Sequence, residues 1–306
     1  MLNKQPLRIK TISEYHKLMG LPKPEHPLIS LVNLDDITKL PLEKSFSIVF
    51  DFYSISLKRY SNIKYKYGQQ SNDFDEGILF FMSPNQVMAI NIENADSAKT
   101  EGLILYVHPD FLYGSSLAKD IKRYEFFSYS VSEALFLSSK EEDIITGILK
   151  NIQREYHANI DDFSQDVIVR QLDLLLTYAD RYYHRQFLTR KNTNHKILNN
   201  LEEALNEMFE EVRLAENGIP SVQYISDKLN ISTSYLSRLL KTLTGQSTQH
   251  HIQNRVIEKA KEKLSATTLS VSEIAYELGF EHPQSFSKLF KTKTNISPLG
   301  FRASFN

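Results

Sequence analysis

The chain contains no cysteine, which excludes disulfide bonds, thiolate catalysis and cysteine-ligated metal sites. It has no run of about 18 apolar residues of the kind that spans a membrane. Its first residues, MLNKQPLRIKTISEYHK, contain no apolar segment typical of a secretory signal. We therefore expect a cytoplasmic protein with no membrane partner. Its 306 residues, 41% of them hydrophobic, are enough for two ordinary globular domains.

The net charge of the chain is only −1, but the charge is unevenly distributed. From Gly218 to the C-terminus, 11 Lys and Arg residues face 6 Asp and Glu residues, a net charge of +5, which leaves −6 on the rest. A basic end on an acidic body suits a nucleic-acid-binding module. Many domains that bind no DNA carry as much charge. Sequence motifs are therefore needed to identify a nucleic-acid-binding module.

The clearest pattern lies near the C-terminus, from Val271 to Arg302. A first helix is predicted by apolar residues at helical spacing, namely Val271, Ile274, Ala275 and Leu278. Gly279 favours the left-handed turn that ends a helix, and Pro283 suits the first turn of the next one. That second helix has polar residues opposite its apolar stripe, at Gln284, Lys288 and Lys291. The pair predicts a helix-turn-helix, whose second helix enters a major groove.

The same pattern occurs about 50 residues earlier in the chain. The apolar positions recur, with Ile225, Ser226 and Leu229 in the places of Ile274, Ala275 and Leu278. The polar positions recur as well, with Ser234, Arg238 and Lys241 in the places of Gln284, Lys288 and Lys291. An internal repeat that preserves both a core face and a polar face indicates two related units.

The repeat resembles the AraC/XylS transcription regulators, which carry two helix-turn-helix units joined by one long helix. The resemblance covers about a third of the chain and rests on Ile225 to Leu229, Tyr235 to Leu239, Gly245, Arg255, Ala260, Leu264, Ile274, Ala275, Leu278 to Phe280, Ser285 to Ser287, Phe290, Pro298 and Arg302. Two residues depart from the family pattern. Ser226 stands where the family usually has Ala, and Asn295 where it usually has Gly. Both residue types suit those positions, because Ser is small and Asn tolerates a left-handed backbone.

We divide the chain into a sensor and dimerisation domain at 1–190, a linker at 191–195 and a DNA-binding domain at 196–306. Within the last domain, the first helix-turn-helix covers about 221–243, a linker helix about 247–264 and the second helix-turn-helix about 271–293. A helix of that length forms a rod of roughly 25 Å. Such a rod could place two recognition helices in successive major grooves.

Between Leu28 and His108, short segments rich in β-branched and aromatic residues predict a small barrel or sandwich. The family resemblance implies an N-terminal cupin-like β-barrel, or jelly roll, with helices. The fold class is then α+β with two domains, the C-terminal one all-α. Two amphipathic helices follow, from Ser139 to about Tyr156 and from Asp162 to about Leu188. The second packs on its own barrel, forms the dimer interface that the resemblance favours, or does both.

A metal-dependent enzyme is the alternative from another class, since cupin enzymes hold a metal through clustered His ligands. The β segment offers only His108, too few for a three-ligand site. We therefore expect no metal, no cofactor, no catalytic residue and no enzyme activity, and metal analysis would test a cupin-type enzyme with a DNA-binding tail. Four residues on mixed strands could line an effector pocket, although we assign no ligand residue: Tyr53, Lys58, Tyr65 and Tyr67.

The residues predicted to contact DNA are the polar positions of the two recognition helices: Ser234, Ser237, Arg238, Lys241, Gln284, Ser285, Lys288 and Lys291. Arg and Lys can donate to guanine, and Gln can pair with adenine. The alternative is a solvated helix face, which is more common for serines than for Arg238 or Lys288. On the linker helix, phosphate contact or simple solvation is open for Arg255, Lys259, Lys261 and Lys263.

The repeat predicts a protein that binds DNA, and the family resemblance implies a sequence-specific bacterial transcription regulator. Its expected partners are double-stranded DNA, a small-molecule effector, a second copy of the chain as a homodimer, and RNA polymerase. A regulator whose barrel binds no small molecule remains open.

Overall fold

The computed structural model describes residues 6–38, 45–60, 77–91, 100–130, 133–158, 161–210, 214 and 218–305. The chain divides into two compact units, Met1–Gln186 and Phe187–Asn306. No helix in these described ranges is long and apolar enough to cross a membrane.

Unit 1 contains eight described strands: β1 (Leu7–Ile9), β2 (Ile29–Asn33), β3 (Ser45–Phe50), β4 (Tyr53–Tyr60), β5 (Gly77–Met82), β6 (Val87–Asn91), β7 (Thr100–Val107) and β8 (Leu135–Leu137). They form a three-stranded sheet in the order β1-β3-β6 and a five-stranded sheet in the order β2-β7-β4-β5-β8. Only the β1–β3 pair is parallel among these described strands. They form two sheets and no closed barrel, so the cupin-like jelly roll is not confirmed.

The two sheets share a core with α1 (Ile12–Met19). Each sheet and the helix contribute buried side chains to it, among them Ile12, Val32, Ile48, Phe50, Met82, Ile104 and Tyr106. Directly paired residues of neighbouring strands point to the same face of a sheet. Ser54 pairs with both Met82 and Tyr106, so it also faces this core. Alternation along β4 then turns Ser56 and Lys58 in the same direction, while Ile55 and Leu57 face away.

The opposite face of the five-stranded sheet packs against aromatic residues and helices. Phe81 contacts Phe126, with ring centroids 4.4 Å apart, and Phe126 stacks on Tyr183. Phe126 lies in a 3-10 helix, Glu125–Ser128, although the aromatic-rich stretch from Tyr124 to Tyr129 has the composition of a β-strand. The stretch does not form a strand because its aromatic rings pack between the sheet and a helix, and its backbone does not pair with the edge of the sheet.

The described ranges of unit 1 also contain four α-helices, the last of which continues into unit 2: α1, the short α2 (Leu117–Asp120), α3 (Ser139–Tyr156) and α4 (Ser164–Thr189). The structure confirms the predicted helix at 139–156. It begins with a capping box, in which Ser138 and Glu141 bind each other's backbone N–H groups. The predicted helix at 162–188 is α4. Its buried face includes Leu172, Leu175 and Tyr183, whereas Val167 is exposed.

Unit 2 is helical, with α5 (Lys191–Glu210), α6 (Val222–Leu229), α7 (Thr233–Thr244), α8 (Thr248–Ala266), α9 (Val271–Glu277), α10 (Pro283–Thr294) and α11 (Pro298–Ala303). Residues 191–195, which we predicted as a linker, are the first turn of α5. Their polar composition gave no helical period, but the buried Asn194 amide donates to the Phe187 carbonyl oxygen and fixes the chain there.

Two hydrophobic cores lie on either side of α8. The first combines α5, α6 and α7 with Ile252 and Val256 of α8. The second combines α9 and α10 with Ile257, Ala260 and Leu264 of the same helix. One helix therefore belongs to both cores and fixes their spacing.

Candidate nucleic-acid interface

The first helix-turn-helix is formed by α6 and α7. Asn230 ends α6 with a left-handed backbone, φ 54°, and the Ser232 side chain accepts a hydrogen bond from the Tyr235 N–H to begin α7. Apolar residues recur every three or four positions, so α7 buries one face, namely Leu236, Leu239 and Leu240. Gly245 then ends α7 with φ 73°. The polar residues are left on the other side of the helix.

The second helix-turn-helix, α9 and α10, repeats this construction. Ser270 and Glu273 form a capping box at the start of α9, and backbone hydrogen bonding by Ser270 lowers the pKa of the Glu273 carboxyl group. Asn295 ends α10 with φ 63°, so it adopts the backbone of Gly245 as its alignment in the repeat predicts. The turn needs Gly279, where φ is 80° and a β-carbon would come within 2.7 Å of the Leu214 carbonyl oxygen.

The polar face of α10 is open. The structure exposes all four of its predicted contact residues, Gln284, Ser285, Lys288 and Lys291. Their side chains make no recorded hydrogen bond or ion pair with any part of the chain that the structure describes. Buried Phe286 and Phe290 hold the helix from behind. This face therefore presents one amide, one hydroxyl and two ammonium groups together.

The polar face of α7 is less exposed to solvent than that of α10. Lys241 is exposed, but Ser234, Ser237 and Arg238 are half-buried. The Ser237 hydroxyl lies 3.2 Å from that of the buried Thr248, which ties α7 to the start of α8.

Arg238 lies beside an aromatic ring that the sequence reasoning missed. Its guanidinium carbon is 6.0 Å from the Phe187 ring centroid, at the outer limit of a cation–π contact. The same Phe187 ring packs edge-on against Tyr235, at 5.1 Å. An aromatic residue at the end of a long amphipathic helix is usually a core residue, and no sequence signal identifies its neighbours.

The cations of α8 divide into paired and unpaired groups. Arg255 binds Glu258 and Asn206, Lys259 lies 3.0 Å from Glu262, and Lys263 lies 2.6 Å from Glu277. Lys261 is exposed and has no recorded acidic partner within the described ranges; its Nζ lies 6.0 Å from the Phe301 ring. The geometry therefore favours Lys261 for phosphate contact over the other three.

Of the four residues suggested for an effector pocket, the two that the structure describes point to opposite faces of the sheet. Tyr53 faces Phe127, with ring centroids 5.1 Å apart, whereas Lys58 faces the core between the sheets. Tyr65 and Tyr67 lie outside the described residues.

His108 caps a 3-10 helix by accepting a hydrogen bond from the Asp110 N–H, and no group of three potential metal ligands occurs in the described part of the chain.

A family model described as a helix-turn-helix domain matches residues 225–304. An uncharacterised helix-turn-helix-type transcriptional regulator of Staphylococcus aureus strain MSSA476 is 28% identical over 138 residues, which cover 45% of this chain and 17% of the relative. A regulator of the same description, YfiF of Bacillus subtilis strain 168, is 38% identical over 81 residues, or 26% of each chain. This chain therefore spans only a small part of the length of the curated relatives it matches.

Among solved structures, the C-terminal domain of the two-component response regulator yesN from Fusobacterium nucleatum is 32% identical. The match covers 33% of this chain and 96% of that one, with a TM-score of 0.29.

The two capped units, their shared helix and the family match define the C-terminal region as a helix-turn-helix domain, a class of DNA-binding domain. It is of the AraC type, which confirms the resemblance found in the sequence.

Proposed function

We propose that this chain is a sequence-specific transcription regulator that binds double-stranded DNA through both helix-turn-helix units. The observation that carries the proposal is the open polar face of α10, whose four side chains have no recorded partner among the described residues. Amide and ammonium donors on an exposed recognition helix suit base edges and phosphates in a major groove.

The spacing of the two units supports a bipartite site. The 19 residues of α8 correspond to a length of about 28 Å. Successive major grooves on one face of B-DNA lie about 34 Å apart. Recognition helices packed at either end of α8 could therefore enter neighbouring grooves, each reading one short element.

The test is selection of DNA from a random pool by the full chain. We expect enrichment of two short elements about one helical turn apart. A matched chain with Gln284→Ala and Lys288→Ala should select the first element and lose the second. No enrichment by the unchanged chain would contradict the proposal.

For unit 1 we propose a variant of the cupin-like jelly roll that senses a small molecule, supported by two sheets that share one core.

We also propose that α4 mediates a homodimer. Val167 and Leu174 are 40% and 42% exposed on that helix, one heptad apart, with Gln171 between them. A second copy could cover this stripe. The proposal includes no catalytic step, and contact with RNA polymerase remains a prediction.

A further inference from the structure

The side-chain amide of Asn254, in the first half of α8, connects the C-terminal ends of the two recognition helices. Its Nδ2 donates a hydrogen bond of 3.0 Å to Oε1 of Gln246, the residue that follows Gly245 at the end of α7. Its Oδ1 accepts a hydrogen bond of 3.1 Å from Nζ of Lys293, in the last turn of α10. We call these three side chains, Gln246, Asn254 and Lys293, the Asn254 bridge.

The chemistry of the three groups fixes the orientation of the Asn254 amide. A lysine ammonium group only donates hydrogen bonds, so the Asn254 oxygen must face Lys293. The Asn254 NH2 group then faces Gln246, whose amide must present its own oxygen. A reversed Asn254 amide would place two donors face to face at Lys293. The bridge therefore joins α7 and α10 through two directional contacts.

Lys293 differs from the other lysines of the same helix. Lys288 and Lys291 are exposed on the polar face of α10, whereas Lys293 is half-buried and donates to α8. A cation in the last turn of a helix is also stabilised by the carbonyl groups that end the helix. Lys293 thus contributes to the packing of α10 on α8 and not to the surface proposed to meet DNA.

A second contact fixes the other end of the same helix-turn-helix. At Gly279, in the turn before α10, a β-carbon would lie 2.7 Å from the Leu214 carbonyl oxygen and 2.9 Å from the Gly218 α-carbon. Both of those residues precede α6, and Leu214 belongs to the first core. Lys293 follows the first residue of α10 by ten positions, so it lies about 15 Å further along the helix axis. The two contacts therefore hold opposite ends of α10.

The contacts between these two ends are apolar. Phe280 and Leu289 pack against both cores of unit 2. Apolar contacts are not directional and tolerate a small tilt, whereas hydrogen bonds require a defined geometry. With the turn at Gly279 as one fixed point, α10 can pivot unless its far end is held. The Asn254 bridge holds that end.

We propose that Asn254 is a positioning residue, which holds the two recognition helices in the relative orientation in which both bind DNA together. Its side chain acts through Gln246 at the end of α7 and through Lys293 on α10. Helices already held in that orientation bind the second element without a further ordering cost, so the bridge raises the affinity gained from two elements. The inference rests on the proposed binding of DNA through both units and names a residue that couples them.

The first test measures the two helices in the full chain without DNA. Because the chain has no cysteine, Thr242→Cys and Thr292→Cys create one spin-label site on each recognition helix. Pulsed dipolar spectroscopy then gives the distribution of distances between the labels. Asn254→Leu keeps the approximate size of the side chain but removes both hydrogen bonds, so it should widen this distribution. Gln253→Leu replaces the neighbouring half-buried amide of α8, which has no recorded partner in the described ranges, and should leave the distribution unchanged.

Two further variants test the bridge itself. Asn254→Asp should keep the distribution narrow, because a carboxylate accepts from Lys293 and, once the Gln246 amide turns over, from Gln246 as well. Lys293→Met should widen the distribution as Asn254→Leu does. Combining Lys293→Met with Asn254→Leu should add little to either change alone, since each disconnects the same two helices. A distribution that stays narrow in Asn254→Leu would overturn the proposal.

DNA binding supplies the second readout. Affinity is measured on the selected two-element site and on the same site with the second element scrambled, and the ratio of the two affinities is the gain from the second element. Asn254→Leu should lower this ratio about threefold to tenfold, the range for the loss of one ordinary hydrogen bond. Its affinity for the single-element site should stay unchanged, which shows that the first helix-turn-helix is folded. An equal ratio in Asn254→Leu and in the unchanged chain would also overturn the proposal.

The two readouts separate this inference from the proposed function. A selected site with two elements, but with equal affinity ratios in all variants, would support the regulator and contradict the role of Asn254. No selected DNA, together with a distribution that widens in Asn254→Leu, would contradict the regulator and still support the bridge as the contact that fixes the two helices.

Discussion

At the scale of single residues, equivalent positions of the two recognition helices differ in their surroundings. Lys288 is exposed on α10 and has no recorded partner among the described residues, whereas Arg238 is half-buried on α7 beside Phe187. Lys288 can meet DNA without giving up a contact. Arg238 must exchange its place beside the ring for a base or phosphate, so part of its binding energy is offset.

We predict that Lys288→Ala costs about 1–3 kcal/mol of binding free energy on the selected site and relaxes specificity at one position. Arg238→Ala should cost less binding free energy than Lys288→Ala. The substitution also removes the contact with Phe187 from the free protein, and the native side chain must give up that contact when it binds DNA. Binding curves on the selected site and on single-base variants would measure both. Lys150→Ala, which removes the same charge from α3, serves as the control and should bind as the unchanged chain does. An unchanged base preference in both variants would rule out the assigned groove contacts.

Residue types alone could identify the eight candidate contacts but could not rank them. The repeat predicts Ser237 and Arg238 on the polar face of α7, and in the structure both are half-buried. Their partners Thr248 and Phe187 come from other helices, so tertiary packing decides how much of each side chain stays accessible. The same holds for the cations of α8, where acidic residues three positions away or on another helix pair with all but Lys261.

At the scale of elements, local signals predicted the helices well. Serine caps, left-handed residues after helices and apolar spacing are all contained in a short stretch of sequence. The helices α6 with α7 and α9 with α10 therefore lie over stretches that carry these local signals. Sheet order depends on residues far apart in the chain, so the strands of unit 1 could be expected but their arrangement in two sheets could not.

The exposed stripe of α4 gives a prediction for the proposed homodimer. Replacing both Val167 and Leu174 by Glu should weaken self-association by a factor on the order of ten to a hundred, because each copy would bury two charges at the interface. Sedimentation over a range of protein concentrations would measure it. Lys150→Glu on α3 is the control for a changed surface charge. A chain that is monomeric before substitution would exclude this role for α4.

At the scale of the whole molecule, the chain is almost neutral, but its C-terminal part carries a net charge of +5. DNA attraction must therefore come from local charge, since the body of the protein repels phosphates. Counter-ion release then makes binding sensitive to salt.

We predict that affinity for the selected site falls on the order of a thousandfold between 50 and 200 mM salt, as for about six phosphate contacts. Lys261→Ala should reduce the slope of log affinity against log salt by about one. Lys259→Ala, which removes a cation already paired with Glu262, should change the slope less. Fluorescence anisotropy at several salt concentrations would measure these slopes. Equal slopes for both variants would argue against a phosphate contact at Lys261.

The shared helix α8 has a consequence for the DNA itself. Because Val256 and Ile257 are adjacent in sequence but belong to different cores, no flexible joint separates the two recognition helices. Adding one base pair between the two elements would move the second by about 3.4 Å and rotate it by about 35° around the duplex. Two recognition helices held at a fixed spacing cannot bind both elements after such a change. Its operators should therefore vary in their bases but hardly at all in the distance between them.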